Sequence, residues 1–549
     1  MALAQRRIRL LFGAFAALLA IAAVRTLELG TLQSAHLSAI ATQQQVQTQA
    51  LPAVRGEILD RNGAALALTE PADDISATPY QIKDPASAAA RLAPLLGESV
   101  ATLTQQLAAR TTFVYLKRQV PDTAAQQIAA LGIAGISLTT DNIRDYPFGD
   151  LAAQLLGGTH LGGGGADGLE LELNGALAGV SGTSRTVVAA DGTPISVSDP
   201  RKAVPGETVR LTLDARLQQE VETVLAGVGQ EYTPEDATAI VMTPSTGAVL
   251  ALANWPSVNA NDAGTGFDWS DHAIALNYEP GSTFKAVVIG GALSDGLITP
   301  STMFNIPSSL PFDGRVINDS TAHPDEQLST TGILAQSSNI GAVEIGQKLG
   351  AARFAYWVKR FGFGSPTGID LPGENQGIIP PLSDYNNFSM GNLPFGQGES
   401  VTPIQIATAY AAIANGGILR PPHVVAQIGN TVQREPAGHR IISPLVAGEL
   451  RTMLEGVLEP GGTASEITIP GYQLAGKTGT ANKAIPGGYS NTKFVASFVG
   501  FAPATDPKIE VEVVVDQPKG DAYYGTDAPA HAWGAIMTWA LRYLKIPPG

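Results

Sequence analysis

The chain has 549 residues, 44% of them hydrophobic and 15% charged, which excludes a disordered protein and allows several buried cores. Its net charge of −15 argues against nucleic acid as a partner. It has no cysteine, which excludes disulfides, thiolate catalysis and cysteine-based zinc sites. Its seven histidines are scattered without metal-ligand spacing, so no metal and no cofactor is expected.

At the N-terminus, Arg6, Arg7 and Arg9 precede an apolar run from Leu10 to Val24. The positive-inside rule keeps residues 1–9 in the cytoplasm as a short tail and sends the rest across the membrane. The run falls short of the ~20 residues that cross a bilayer. Snorkelling by Arg9 and Arg25, with Ile8 and Leu27 as extra apolar length, gives an anchor over 10–27. Ala20-Ile21-Ala22 also has the form of a signal-peptide cleavage site, and composition leaves anchor and cleaved signal both open. No later run is long enough to span, so the topology is single-pass at most.

Residues 28–50 are polar and rich in Gln and Ala, including Gln43-Gln44-Gln45, and read as a helical or flexible stalk. Asn62-Gly63, after Arg55-Gly56-Glu57-Ile58-Leu59-Asp60-Arg61, is a turn between two short strand-like runs. Residues 85–135 are Ala-rich with helical spacing, as at Leu92, Leu95, Leu96 and Leu103, Leu107. The glycines from Gly162 to Gly165 read as a surface loop. A Pro205-Gly206 turn before the strand Val209–Leu213 marks the major boundary, so 28–205 and 206–549 are read as separate domains.

The C-terminal portion reads as one α/β unit. Asp214 caps a helix whose Leu217, Val221, Val224 and Leu225 share a face. Ala239–Met242 and Ala248–Ala251 flank Pro244-Ser245-Thr246-Gly247 as a hairpin. Thr402-Pro403 starts a helix that Asn415-Gly416-Gly417 closes. Phe494–Phe501 and Ile509–Val515 are strands, and a last helix covers Ala528–Leu544.

Three short segments carry the chemistry: Ser282-Thr283-Phe284-Lys285, Ser337-Ser338-Asn339 and Lys477-Thr478-Gly479-Thr480. Each alone has a bland reading as a helix start, a loop tripeptide or a strand end. In this order, S-x-x-K, S-x-N and K-T-G resemble the motif set of penicillin-binding proteins and serine β-lactamases. Ser282 is then the nucleophile. With Ser282 opening a helix, Lys285 lies one turn on, on the same face. The apolar residues after Lys285 predict a desolvated ammonium with a lowered pKa, and a second cation at Lys477 acts in the same direction, so Lys285 can take the Ser282 proton. Ser337 is the motif serine and a proton relay to the leaving amine, and Asn339 holds Lys285 and the substrate amide. Thr478, Thr480 and Lys477 suit a carboxylate, and Gly479 lets substrate backbone lie close to its strand. The backbone N–H groups of Ser282 and Thr480 form the oxyanion hole, a contribution of about 3 kcal/mol per donor. No G-x-S-x-G elbow is present.

The chain resembles class B penicillin-binding proteins, the monofunctional D,D-transpeptidases, over nearly its whole length. Beside the three motifs, the resemblance rests on Arg55–Gly63, on Arg144-Asp145-Tyr146-Pro147, on Gly168-Leu169-Glu170 with Leu177 and Gly179, and on Phe395-Gly396-Gln397-Gly398 with Val401-Thr402-Pro403-Ile404-Gln405. These flanking segments are read as turns, caps and packing. The resemblance implies a multi-domain α/β protein with a cytoplasmic tail, an uncleaved anchor in the inner membrane and an elongated α+β pedestal outside it. The C-terminal domain it implies is a mainly antiparallel sheet sandwiched by helices. It implies cross-linking of peptidoglycan stem peptides through an acyl-enzyme, trapping by β-lactam antibiotics, and partnership with a membrane glycan polymerase and division-complex proteins. No glycosyltransferase motif set precedes residue 205, and no repeat domain follows the last helix. Compact length, the Ser337-Ser338-Asn339 form and the short tail resemble the septal, division-specific type. An elongation-specific transpeptidase, a class D-like β-lactamase or β-lactam sensor, and a non-catalytic division scaffold stay open as alternatives. Class D enzymes typically carry S-x-V as second motif, where this chain has Asn339.

Overall fold

The computed structural model describes residues 2–37, 46–188, 194–262, 268–386, 388–485, 488–520 and 523–548. The chain gathers into two compact units, each discontinuous in sequence. One comprises residues 1–54, 71–142 and 179–205, and the other residues 55–70, 143–178 and 206–549.

The first unit begins with a helix over Ala2–Leu27. Together with the π-helical turn after it, this forms the one helical stretch among the described residues long and apolar enough to cross a membrane, Ala4–Leu32 with mean hydropathy 2.1 and no buried residues. Of the stretch read as a stalk, residues 38–45, Gln43-Gln44-Gln45 among them, lie outside the described residues. Its end departs from the stalk reading. Val46–Leu51 is a strand, paired antiparallel with Gly182–Val188, which in turn pairs with Pro194–Arg201. A polar six-residue run carries no periodic sign of this, because its partner is supplied from far along the chain. Helices Pro85–Leu96 and Val100–Leu107 are N-capped by Asp84 and Ser99, whose side chains accept from Ser87 N and Thr102 N. They bury Leu92, Leu96, Leu103 and Leu107 together with Leu116 and Ile128. Val114–Pro121, inside the stretch read as helical, is a strand on Ala72–Ala77.

The second unit is built on a five-stranded antiparallel sheet. Its strands are β1 (Asp236–Thr243), β2 (Ala248–Trp255), β3 (Ala475–Ile485), β4 (Gly488–Ala502) and β5 (Ile509–Asp516), in the order β2-β1-β5-β4-β3. On one face, α1 (Ala215–Tyr232) and the final helix Ala528–Tyr543 bury Leu217, Val221, Trp533 and Ile536 against Val241, Phe498 and Val513. On the other lie α2 (Lys285–Ser294), α3 (Asn339–Leu349) and α4 (Pro403–Ala414), in a core with Val499 and Val514. Both faces of the sheet are covered, so successive residues along β1, β2 and β5 are buried on both sides. Asp214 caps α1 by accepting from Arg216 N and Leu217 N, and α4 starts at Pro403 as its sequence predicts.

The flanking motifs have structural employment within this unit. Gly63 takes the turn between Ile58–Leu59 and Ala65–Ala67 at φ 91°. Buried Glu170 receives Arg55 Nε at 2.5 Å and Arg144 Nε at 2.7 Å. Arg55 also donates to Asn174 Oδ1 and Gly163 O, and Arg144 to Gly56 O. One carboxylate thus pairs with two buried guanidiniums, which tolerate burial only when paired and hydrogen-bonded.

Candidate active site

Ser282 sits on a single 3₁₀ turn, Gly281–Phe284, and α2 starts at Lys285. The nucleophile candidate therefore stands just before the α-helix rather than on its first turn. The turn is fixed from several sides. Gly281 has φ 55° and donates its N–H to Gly396 O at 3.0 Å, and a Cβ there would lie 2.7 Å from Thr480 O. Tyr410 OH donates to Thr283 O at 2.7 Å, and Tyr278 pairs with Val401 through both backbone bonds. The Phe395–Gly398 and Val401–Gln405 segments thus buttress the turn.

Lys285 is fully buried, as is every other residue of α2 as far as Leu293. Its Nζ donates to Ser337 O at 2.5 Å, Asn339 Oδ1 at 2.8 Å and Ser337 Oγ at 3.2 Å. Lys477, equally buried on β3, donates to the same Ser337 Oγ at 2.9 Å and to Thr478 Oγ1 at 3.1 Å. Burial pushes the Lys285 ammonium down to about 7, partly opposed by the negative charge of Asp319. Burial, and then the charge of Lys285, hold Lys477 well below the ordinary lysine range. Ser337 has φ 62°, a left-handed conformation unusual for serine, and it turns both its carbonyl and its hydroxyl toward Lys285. Ser282 Oγ makes no hydrogen bond among the described residues, so the structure brings Lys285, Ser337, Asn339 and Lys477 into one network and leaves the Ser282 hydroxyl outside it.

Ser338 is not idle. Its Oγ accepts from Gly341 N as the N-cap of α3 and donates to Asp319 Oδ2 at 2.7 Å. The Asp319 carboxylate also receives Asn339 N and Ile340 N. Nothing in the sequence singles out Asp319.

A cleft of about 970 Å³ opens above this network. Ser282, Asn339, Thr478, Thr480 and Tyr489 are among its walls, and the two lysines lie beneath. Thr480 Oγ1 accepts from Gly525 N, and Thr478 Oγ1 is 3.2 Å from Thr463 Oγ1. Gly479 is required for a reason other than the expected one. A Cβ there would collide with Ser497 Oγ and lie 3.0 Å from both Pro280 O and Thr283 Cγ2. Its missing side chain makes room for Ser497 Oγ and for the Ser282 turn. At the rim, Tyr489 OH donates to Glu279 Oε1 at 2.8 Å, and burial raises the pKa of Glu279.

Comparison with known proteins agrees with this geometry. Residues 237–538 match the family model of the penicillin-binding protein transpeptidase domain, and residues 50–162 that of the penicillin-binding protein dimerisation domain. Penicillin-binding protein PbpB of Mycolicibacterium smegmatis is 32% identical over 97% of this chain and 90% of its own. Peptidoglycan D,D-transpeptidase FtsI of Escherichia coli is 32% identical over 92% of this chain and 86% of its own. The crystal structure of penicillin-binding protein 3 from Mycobacterium tuberculosis in complex with aztreonam superposes with a TM-score of 0.72 and 28% identity, covering 91% of this chain and 98% of that one.

Proposed function

Because the chain belongs to the class B penicillin-binding proteins and is by that membership a peptidoglycan D,D-transpeptidase, we propose that it acts through a serine acyl-enzyme on Ser282 in building the division septum. The observation that carries the mechanism is the pair of buried lysines converging on Ser337 Oγ.

Lys285, neutral in about half of the molecules near pH 7, takes the Ser282 proton as Oγ attacks the penultimate D-Ala carbonyl of a donor stem peptide. The N–H groups of Ser282 and Thr480 hold the oxyanion, and the close packing of the Gly281 turn on Thr480 supports that pairing. Collapse breaks the C–N bond, and the proton passes through Ser337 to the leaving D-Ala amine. An amine of a second stem peptide then attacks the ester, loses its proton to the same relay and restores the Ser282 hydroxyl. Thr478, Thr480 and Lys477 receive the terminal carboxylate, with Gly479 contributing backbone alone. Asn339 positions Lys285 and the substrate amide. β-Lactams enter as mimics of the D-Ala–D-Ala end.

The single N-terminal helix fits a single-pass membrane protein. With Arg6, Arg7 and Arg9 before it, the N-terminus lies in the cytoplasm and the catalytic unit outside the inner membrane. Residues 10–27 are the anchor, 28–205 the pedestal that meets partners, except that its segments 55–70 and 143–178 gather into one compact unit with 206–549, the transpeptidase domain. A membrane glycan polymerase supplies the glycan, and other division proteins bind the complex. The relative named FtsI favours the septal assignment.

Fluorescent penicillin followed over time, with Ser282→Ala beside the wild type, tests the chemistry. A long-lived adduct absent from the variant is expected. A rapidly lost adduct with drug consumed marks a β-lactamase instead, and an undiminished adduct in Ser282→Ala overturns the nucleophile. Depletion in cells is expected to block septation while elongation continues, and the reverse overturns the septal role.

A further inference from the structure

We propose that Asp319 is a positioning residue of the acylation site, which clamps the Ser337–Asn339 segment against Lys285 and supplies the negative charge that this lysine faces. The inference rests on the acyl-enzyme reading above and adds a residue outside all three motifs.

The contacts are dense and directional. Asp319 follows the hairpin formed by Leu310–Phe312 and Arg315–Ile317. Its Oδ1 accepts from Asn339 N at 2.5 Å and Ile340 N at 2.9 Å, the free backbone donors at the start of α3. Its Oδ2 accepts from Ser338 Oγ at 2.7 Å. Asn339 thereby has its backbone tied to Asp319 while its side-chain Oδ1 accepts from Lys285 Nζ. Ser337, the residue before this clamp, is held at φ 62° with carbonyl and hydroxyl both on Lys285. A left-handed serine persists only where its surroundings over-determine it, and three hydrogen bonds from the next three residues to one carboxylate provide that.

Asp319 also has an electrostatic role. The charge of Asp319 acts on Lys285, and the charge of Lys285 acts in turn on Lys477. Behind Asp319 stands His323, whose Nε2 is 3.1 Å from Asp319 Oδ2 and whose Nδ1 is 3.2 Å from Glu326 Oε1. The hydrogen bond to Pro324 O, then that with Asp319 and the charges of Asp319 and Glu326, raise the His323 pKa, and with both ring nitrogens facing acceptors the ring favours the imidazolium form, whose charge shields Asp319. Asp319 favours the ammonium form of Lys285, and His323 weakens that preference.

The two side chains therefore act on Lys285 with opposite signs. The test is the second-order rate of fluorescent-penicillin acylation against pH, on the full-length chain in detergent. Asp319→Asn is expected to slow the plateau rate roughly tenfold or more through lost positioning. It is also expected to move the acid limb to lower pH, because the ammonium loses its anion. His323→Gln is expected to move the same limb to higher pH. An Asp319→Asn limb that stays in place or moves up overturns the proposal, even with a slower plateau, since loss of structure alone does not move the limb downward. Should Asp319→Asn fail to fold, His323→Gln decides: an upward shift supports the proposal, and an unmoved or lowered limb overturns it. In a Ser282→Ala background, ¹³Cε-lysine NMR reads the Lys285 midpoint with no acylation required. A wild type that is never acylated but whose lysine shifts as stated sinks the acyl-enzyme reading and leaves the Asp319–Lys285 charge relation standing.

Discussion

Lys285 and Lys477 share one hydroxyl: their Nζ atoms lie 3.2 and 2.9 Å from Ser337 Oγ, and both side chains are fully buried. Two ammonium groups cannot both keep their charge in so dry a space, because desolvation and mutual repulsion act in the same direction. The pair therefore gives up a proton near neutral pH, where an ordinary lysine holds its own until about pH 10. Ser337 Oγ accepts from both, and a hydroxyl can also donate once a lysine is neutral, which suits a group that passes a proton on.

Removing the Lys285 amine is expected to cost about a hundredfold or more in the acylation rate, the typical weight of a positioned general base. Lys285→Ala, labelled with fluorescent penicillin beside the wild type, checks this, with a circular-dichroism melt to show that the fold is kept. Normal labelling would remove Lys285 from the role of base.

The pH profile has a stated sign. The Lys285 pKa is lowered from 10.5 to about 7, and only the neutral amine accepts the Ser282 proton. The acylation rate is therefore expected to climb with pH through an acid limb centred near that value. Stopped-flow rates with a chromogenic cephalosporin give the limb directly. A rate flat across the neutral range would show that Lys285 does not titrate there.

Gly479→Ala places a methyl group against Ser497 Oγ, Pro280 O and Thr283 Cγ2. Overpacking of this kind costs about 1–3 kcal/mol, and here it also shifts the Ser282 turn. Lower resistance to urea and slower labelling are expected together. Gly479→Ala with Ser497→Ala removes one of the three collisions and is expected to recover part of both losses, which no effect on substrate contact alone would produce.

Glu170→Ala strips the carboxylate from Arg55 and Arg144 and leaves two buried guanidiniums uncompensated. Breaking a buried ion pair from one side costs about 3–5 kcal/mol. Limited proteolysis is expected to cut the variant at lower urea than the wild type, with Ser282 still labelled in the fraction that remains folded. Wild-type protease resistance would show that the network carries no stability.

The catalytic set is legible in sequence because each piece is short and local. Ser282 with Lys285, Ser337 with Asn339, and Lys477 with Thr480 are each fixed by neighbours one turn or one strand away. The cap at Asp214 is legible for the same reason, whereas the antiparallel sheet between helices follows from the family resemblance, since β1 pairs with β5 from far along the chain. What escapes is whatever depends on a partner distant in the chain. Asp319 looks like an ordinary loop aspartate until the hairpin before it brings its carboxylate to the start of α3. Val46–Leu51 is a strand only because Gly182–Val188 lies beside it. The packing of Ser497 and the Ser282 turn against Gly479 is likewise supplied from elsewhere in the chain.

The placement of β3, β4 and β5 late in the chain sets the order in which the protein can be made. β1 and β2 leave the ribosome long before their sheet neighbour β5, and Ser282 appears long before Lys477. A growing chain thus carries the proposed nucleophile for about a third of synthesis without the second lysine or the strand that walls the cleft. An incomplete chain stopped before β3 therefore has Ser282 and Lys285 but neither Lys477 nor the strand that walls the cleft.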